Sequence, residues 1–98
     1  MKVRTFADLM ARHDSAEILC GVRGNVVRRL RLAGGHVEVT PLEGPSITVP
    51  SWTPITYEPW FLDRGSLLFQ IPEGGRGKIC TEGDVVRFPD GSEDKVED

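Results

Sequence analysis

The side chains whose types and spacing bear on chemistry are concentrated in two stretches of the sequence. The first contains one carboxylate, Glu58, among the aromatic side chains of Trp52, Tyr57 and Trp60. A carboxylate beside aromatic rings has the chemistry to hold a flat or sugar-like ligand, or to act as a general base. The second stretch is Gly-Asp, four residues, Pro-Asp-Gly and then an acidic run through Asp94. These two stretches provide most of the candidate site residues.

Motifs for other catalytic chemistries and for cofactors are absent from the sequence. Cys20 and Cys80 have no C-x-x-C spacing and no nearby His pair, which argues against a zinc site or a disulfide scaffold and favours two buried free thiols. There is no P-loop, dinucleotide fingerprint, nucleophile elbow or H-E-x-x-H helix. The sequence therefore predicts neither a cofactor nor a bound metal.

The length, composition and charge of the chain indicate its general class. A chain of 98 residues with 39% apolar and 28% charged residues is typical of one folded domain. The formal net charge of −3 divides into +2 for residues 1–49 and −5 for residues 50–98. A local basic cluster is narrower than a nucleic-acid surface usually is, so we interpret it as a solvated strand face first and an anionic-ligand or partner patch second. This cluster consists of Arg23, Arg28, Arg29 and Arg31.

Targeting signals are also missing from the sequence. No apolar run approaches the length that spans a bilayer, and Met1-Lys2-Val3-Arg4 leads into no signal-peptide core. We therefore expect a cytoplasmic protein that binds neither membranes nor nucleic acid.

The first 42 residues are predicted to contain one helix, one strand and a hairpin. Thr5 and Asp8 resemble a capping box before a helix at about residues 6–12, and a strand is expected in "AEILCGV". Gly34-Gly35 then form a two-residue hairpin loop, with a helix at residues 26–33 as the rival interpretation. The hairpin register places apolar pairs on one face and polar pairs on the other: Leu32 with Val37, Leu30 with Val39, Arg31 with Glu38 and Arg29 with Thr40.

The remainder of the chain predicts short strands between turns. The expected strands are "SITVP", "TPITYE", "WFL", "SLLFQI", "GKIC" and "DVVRF". In "SLLFQI", the alternation of Leu67, Phe69 and Ile71 with their neighbours predicts burial mostly on one side. Evenly spaced short strands indicate a small β-sandwich or barrel.

Two spacings resemble the sequence motifs of the cupin family. Gly83-Asp84, Pro89 and Gly91, followed by Asp94, follow the second cupin motif, and Glu58 and Gly65 follow the spacing of the first. The resemblance covers residues 37–94. It implies a mostly β fold with an antiparallel jelly-roll barrel at residues 23–94. A short helix and first strand at residues 1–22 would precede the barrel, and an acidic tail at residues 95–98 would follow it.

The chain departs from the cupin pattern at the metal ligands. Where the family carries three His, this chain has Trp52 and Pro54 (or Ser51 and Thr53) and Asp94, so that Glu58 alone matches the usual ligand set. Glu58 and Asp94 would hold only a weak site for a hard cation, and His13 and His36 lie outside the motifs. The resemblance therefore implies a barrel without the family's metal.

These observations lead to one main functional hypothesis and two alternatives. The main hypothesis is a metal-free, cupin-like binding module that holds a small polar or aromatic ligand or mediates protein contacts, and that forms a homodimer. Its ligand-binding residues would be Trp52, Tyr57, Glu58, Trp60 and Arg87. One alternative is an enzyme, a sugar isomerase or epimerase or a weakly metal-dependent cupin enzyme, with Glu58 as base. The other is an accessory or structural protein, such as a virus-encoded one, that docks on a larger partner.

Overall fold

A computed structural model describes residues 3–61 and 64–96 of the chain. The described part is mostly β, as predicted, and contains one short helix. The elements are α1 (Phe6–Leu9), β1 (Ser15–Leu19), β2 (Val26–Ala33), β3 (His36–Pro41), β4 (Ile47–Pro50), β5 (Ile55–Glu58), β6 (Ser66–Gln70), β7 (Arg76–Thr81), β8 (Val85–Arg87) and β9 (Glu93–Lys95).

The strands form two antiparallel sheets. Six strands are ordered β4-β3-β2-β1-β8-β9, and three are ordered β5-β6-β7. Consecutive strands change sheet twice, after β4 and after β7. No described strand of one sheet pairs with a strand of the other, so the described strands do not close into one barrel. Apolar side chains of both sheets share one core, which includes Ile18, Leu30, Phe69 and Ile79.

Helix α1 begins at the predicted capping box. The Thr5 hydroxyl accepts a hydrogen bond from the Asp8 N–H at 3.2 Å, and the Asp8 carboxylate accepts one from the Thr5 N–H at 3.0 Å. The helix ends at Leu9 rather than near residue 12, because Met10 already leaves the helical conformation with ψ at 19°. Phe6 and Leu9 are buried in the core, which anchors this single turn.

The hairpin of β2 and β3 has the predicted register, with all four predicted pairs opposite each other. Gly34 and Gly35 have positive φ, which a type I′ turn needs at both central positions. The rival helix at residues 26–33 is therefore wrong. Leu30 and Val39 face the core, where both are buried.

Strand β6 is buried on both faces, contrary to the predicted one-sided pattern. Leu67 and Phe69 face the core as expected, but Leu68 on the opposite face is fully buried too. A register shift between Leu67 and Leu68 disturbs the alternation. The chain that follows β5 lies on this outer side, where the Arg76 guanidinium is 5.8 Å from the centre of the Phe61 ring. Tertiary packing therefore overrides the one-sided burial that the alternation of residues in this strand predicts.

The C-terminus contributes more to the fold than the predicted tail at 95–98. Lys95 belongs to β9, and Val96 is buried with an exposed fraction of 1%. The Val96 backbone hydrogen-bonds to Gly83 and Asp84, because its apolar side chain fills the core beside β8. The predicted strand "WFL" is replaced by a turn at Trp60, and its Leu62 lies outside the described residues.

Both cysteines are free thiols, and they differ in burial. Cys80 is buried as predicted, whereas Cys20 at the end of β1 is half-buried. Across residues 3–61 and 64–96, no helix is long and apolar enough to cross a membrane.

Candidate functional site

The carboxylate of Glu58 lies at the surface of the small sheet rather than inside a barrel. Its Oε2 atom is 3.4 Å from Nη1 of Arg76, and its side chain is about half exposed. The neighbouring Tyr57 hydroxyl donates a hydrogen bond of 3.2 Å to Glu82. Strand alternation explains why these two side chains have different partners, since Tyr57 and Glu58 point to opposite faces of β5.

Trp52 and Trp60 are both strongly exposed, at 71% and 83%. They lie toward different ends of the molecule. The residue before Trp52 donates its N–H to Gly35, at the hairpin tip that follows β2. The residue after Trp60 lines a cleft with Val27, near the start of β2. The structure therefore does not bring the two indoles together, and their part in binding a ligand stays a prediction.

Asp84, Gly83 and Gly91, which sequence analysis assigned to a motif-like spacing, stabilise turns in this fold. The Asp84 carboxylate accepts hydrogen bonds from the N–H groups of Gly21 and Thr81, at 3.2 and 2.9 Å, and so fastens the end of β7 to the end of β1. Gly83 and Gly91 have positive φ at the turns before and after β8, where an L side chain would be strained.

Potential metal ligands are scattered over the structure. The His13 ring stacks on Phe88 with 4.6 Å between ring centres, and its Nε2 atom is 3.5 Å from Asp90. His36 contacts the Gly34 carbonyl, and Asp94 is exposed on β9. In the part of the chain that the structure describes, no group of three or more His, Cys, Asp or Glu residues is arranged to hold a metal ion.

A row of polar side chains crosses the outer face of the six-stranded sheet. Register places Thr40, Arg29, Glu17, Arg87 and Glu93 side by side on β3, β2, β1, β8 and β9. Directly paired residues of antiparallel strands point to the same face, so these side chains meet outside the core. The four charged members alternate in sign along the row.

Glu17 is the centre of this row. One carboxylate oxygen lies 2.9 Å from Nη2 of Arg87, and the other lies 3.5 Å from Nε of Arg29. The hydrogen bond from Arg87 is the main reason that the pKa of Glu17 is lowered below its usual value, with Arg29 as a further cause. Glu17 therefore stays ionised at neutral pH and holds two guanidinium groups in place.

A second row lies beside the first, where Arg31 stands between Ser15 and Glu38. Arg31 is exposed and has no ion pair within the described ranges. The two rows surround a depression of about 530 Å³, which Phe88 and Pro89 complete at the end of β8. We call it the outer-face depression. Its lining is Ser15, Ala16, Glu17, Arg29, Leu30, Arg31, Glu38, Thr40, Arg87, Phe88 and Pro89.

Of the predicted ligand-binding residues, only Arg87 lines the outer-face depression. The hairpin register already placed Arg29 and Arg31 on one polar face, and that was a sequence signal for this site. Nothing in the sequence pattern indicated that β8 pairs with β1, which brings Glu17 and Arg87 together.

The pairing of Glu17 predicts a specific pH dependence of stability. Because its pKa is lowered in the folded state, the stabilisation is fully present above the usual glutamate value of 4.5 and is lost as pH falls below it. Glu17→Gln should lower the free energy of unfolding at pH 7 by about 1 kcal/mol or less, the range for partly exposed ion pairs. Urea unfolding at pH 7 and pH 3 should show this deficit shrinking at pH 3. Glu43→Gln, in the exposed β3–β4 loop, should show no deficit at either pH, and an equal deficit at both would contradict the prediction.

The fold and this site define a small two-sheet antiparallel β protein with an arginine-rich outer face. Comparison with models of protein families, with curated proteins and with solved structures finds no match to the chain.

Proposed function

We propose that this protein is a metal-free binding module that holds a small carboxylate-bearing ligand in the outer-face depression. The observation that carries the proposal is the presence of three arginines around one concave surface, against the two acids Glu17 and Glu38. Arg31 lies opposite Glu38 in the strand register but forms no ion pair with a described residue. A guanidinium group presents paired N–H donors that match the two oxygens of a carboxylate.

The shape and rigidity of the depression support binding. A volume of about 530 Å³ lies within the usual size of small-molecule sites, roughly 300 to 1,000 Å³. Glu17 pairs with Arg87 at 2.9 Å and with Arg29 at 3.5 Å before any ligand arrives, so part of the side-chain entropy of both arginines is already lost. Phe88 supplies an aromatic wall for the apolar part of the ligand.

Cupin-like ancestry and dimerisation belong to the same proposal. The cupin-like character is supported by the turns around β8, where Gly83 and Gly91 occupy the motif positions with positive φ. Homodimer formation is supported by the outer strands β4 and β9, each of which pairs on one side in the described sheet. Catalysis by Glu58 receives no support from the geometry, because its carboxylate is paired with Arg76 at the surface.

Two-dimensional NMR titration tests the proposed function. The ligands are benzoate and gluconate, with benzyl alcohol and glucose as neutral analogues. The carboxylates should shift backbone amide signals of β1, β2 and β8, and the neutral analogues should not. Arg31→Gln should weaken binding about tenfold or more, the loss of a hydrogen bond to a charged group.

The matched control for this titration is Arg12→Gln, which removes the same charge from an exposed position after α1. It should bind benzoate and gluconate as the unmodified protein does. Equal shifts with neutral and charged analogues, or unchanged binding in Arg31→Gln, would overturn the proposal. Arg31 and Arg12 are both exposed, and neither forms an ion pair with a described residue. Arg31→Gln and Arg12→Gln should therefore have the same unfolding temperature as the unmodified protein.

A further inference from the structure

A second concave surface joins the two sheets at the open edge of β7. It has a volume of about 340 Å³, and we call it the β2–β7 cleft. Val27 and Arg28 line it from β2, and Lys78 and Thr81 line it from β7. None of these residues lines the outer-face depression, so the two sites are physically separate.

The basic cluster of the sequence is divided between these two sites. Arg29 and Arg31 belong to the outer-face depression, whereas Arg28 lines the β2–β7 cleft. Alternation along β2 is the reason, because Arg28 points to the face opposite Arg29. The pattern of charges in the sequence does not reveal this division.

The cleft collects positive charge in a protein that is acidic as a whole. Its described lining carries three cations, Arg28, Arg64 and Lys78, against the single acid Asp84, although the whole chain has a net charge of −3. Both oxygens of Asp84 accept backbone hydrogen bonds, from Gly21 and Thr81, so this carboxylate is already engaged. The described lining thus has two positive charges in excess.

Two of the cations are only half exposed. Arg28 and Lys78 are partly withdrawn from water, and neither has an ion pair with any residue of the ranges 3–61 and 64–96. Partial burial of charged groups without a partner costs free energy that a bound anion would recover. The hydroxyl groups of Ser66 and Thr81, which also line the cleft, add hydrogen-bond donors of the kind that phosphate oxygens accept.

The thiol of Cys80 lies within the field of these cations. The pKa of Cys80 is raised to about 12, mainly by burial and also by the nearby Asp84 carboxylate, while Arg28 and Lys78 oppose the increase. Arg28 and Lys78 therefore act on the same point of the cleft wall, although they belong to different sheets. The thiol itself stays protonated at neutral pH, so the wall offers no thiolate nucleophile at Cys80.

We propose that the β2–β7 cleft binds a small tetrahedral oxyanion with two negative charges, either inorganic phosphate or the phosphate group of a phosphomonoester. Arg28, Lys78 and Arg64 neutralise its charge, and Ser66 and Thr81 donate hydrogen bonds. The half-buried Phe61 ring beside the cleft gives an aromatic phosphomonoester a second contact.

Isothermal titration at pH 7.5 and constant ionic strength tests this proposal. The probes are inorganic phosphate, sulfate, phenyl phosphate and chloride. Phosphate and sulfate should bind at one site per chain, and chloride should show no saturable binding. Phenyl phosphate binding more tightly than inorganic phosphate would assign the site to a phosphomonoester, and equal affinities would assign it to the free anion. Saturation by chloride at the same concentrations, or no binding of any dianion, would overturn the proposal.

Variants locate the site and separate binding from folding. Arg28→Gln and Lys78→Gln should each weaken phosphate binding about tenfold or more. Arg28→Lys keeps the charge and should weaken binding less than Arg28→Gln. Arg12→Gln, with the same loss of charge outside the cleft, should bind phosphate normally. Unchanged phosphate binding in both Arg28→Gln and Lys78→Gln would overturn the assignment even if carboxylates still bind the outer-face depression.

Discussion

Replacing Phe6 with alanine is expected to lower the free energy of unfolding by about 3 to 5 kcal/mol. Phe6 is fully buried, and its ring packs edge-on against Phe69 with 5.2 Å between ring centres and an interplanar angle of 75°. Truncation would remove this aromatic pair and leave a cavity between α1 and the small sheet. Because a small domain has a total stability of roughly 5 to 15 kcal/mol, the variant should lose about a fifth of that stability or more.

Chemical denaturation followed by circular dichroism measures this effect. Phe6→Leu keeps most of the buried volume and should cost about 1.5 kcal/mol or less, the range for hydrophobic substitutions of similar volume. The Phe6 N–H donates to the Thr53 carbonyl, and we expect both variants to keep this backbone hydrogen bond because neither change alters the backbone. A loss below about 1 kcal/mol in Phe6→Ala would mean that α1 does not complete the core.

Gly21→Ala is expected to destabilise the protein by about 3 kcal/mol, the upper part of the usual range for overpacking. A β-carbon on Gly21 would overlap the carbonyl oxygen of Gly83, and this obstacle is backbone rather than a flexible side chain. Gly83 cannot withdraw easily, because its N–H donates to Val96. Gly21 is held from its own side by the hydrogen bond from its N–H to Asp84. The Gly83-Asp84 pair is thus part of a close backbone contact.

Gly24→Ala provides the contrast for this prediction. Gly24 belongs to the same β1–β2 turn and has a positive φ of 67°, but a β-carbon there meets no atom of the described residues within 4 Å. Its cost is conformational alone, roughly 1 to 2 kcal/mol. Denaturation midpoints of the two variants should therefore differ clearly. Equal midpoints would show that the contact between Gly21 and Gly83 relaxes without cost.

The β2–β3 hairpin is a feature that the local sequence pattern predicts correctly. Its register follows from a two-residue loop and from the alternation of Leu30 and Leu32 with Arg29 and Arg31. Both signals act within about ten residues of each other. A shift by one residue would have exposed the apolar face and buried the arginines, so one register was strongly preferred.

Burial in the C-terminal half was harder to predict because it depends on distant partners. Leu68 is buried on the outer side of β6, on the same face as the polar residues Ser66 and Gln70. Val96 is buried directly after β9, whose three residues are all exposed. The local alternation there is compatible with a solvated face. These positions are buried because distant parts of the chain lie against them. The chain after β5 lies on the outer side of β6, and the pairing of β9 with β8 brings Val96 to the core.

The sequence by itself determined the mostly β class, the capped N-terminal helix and the polar face of the β2–β3 hairpin. Each depends on hydrogen bonds or side-chain periods between residues close along the chain. Only the tertiary structure decided that β8 lies beside β1, that Trp52 and Trp60 lie apart, and that Arg28 and Lys78 line one cleft. Short strands of similar pattern can pair with several partners, and the shared core selects among them by packing that no local segment encodes.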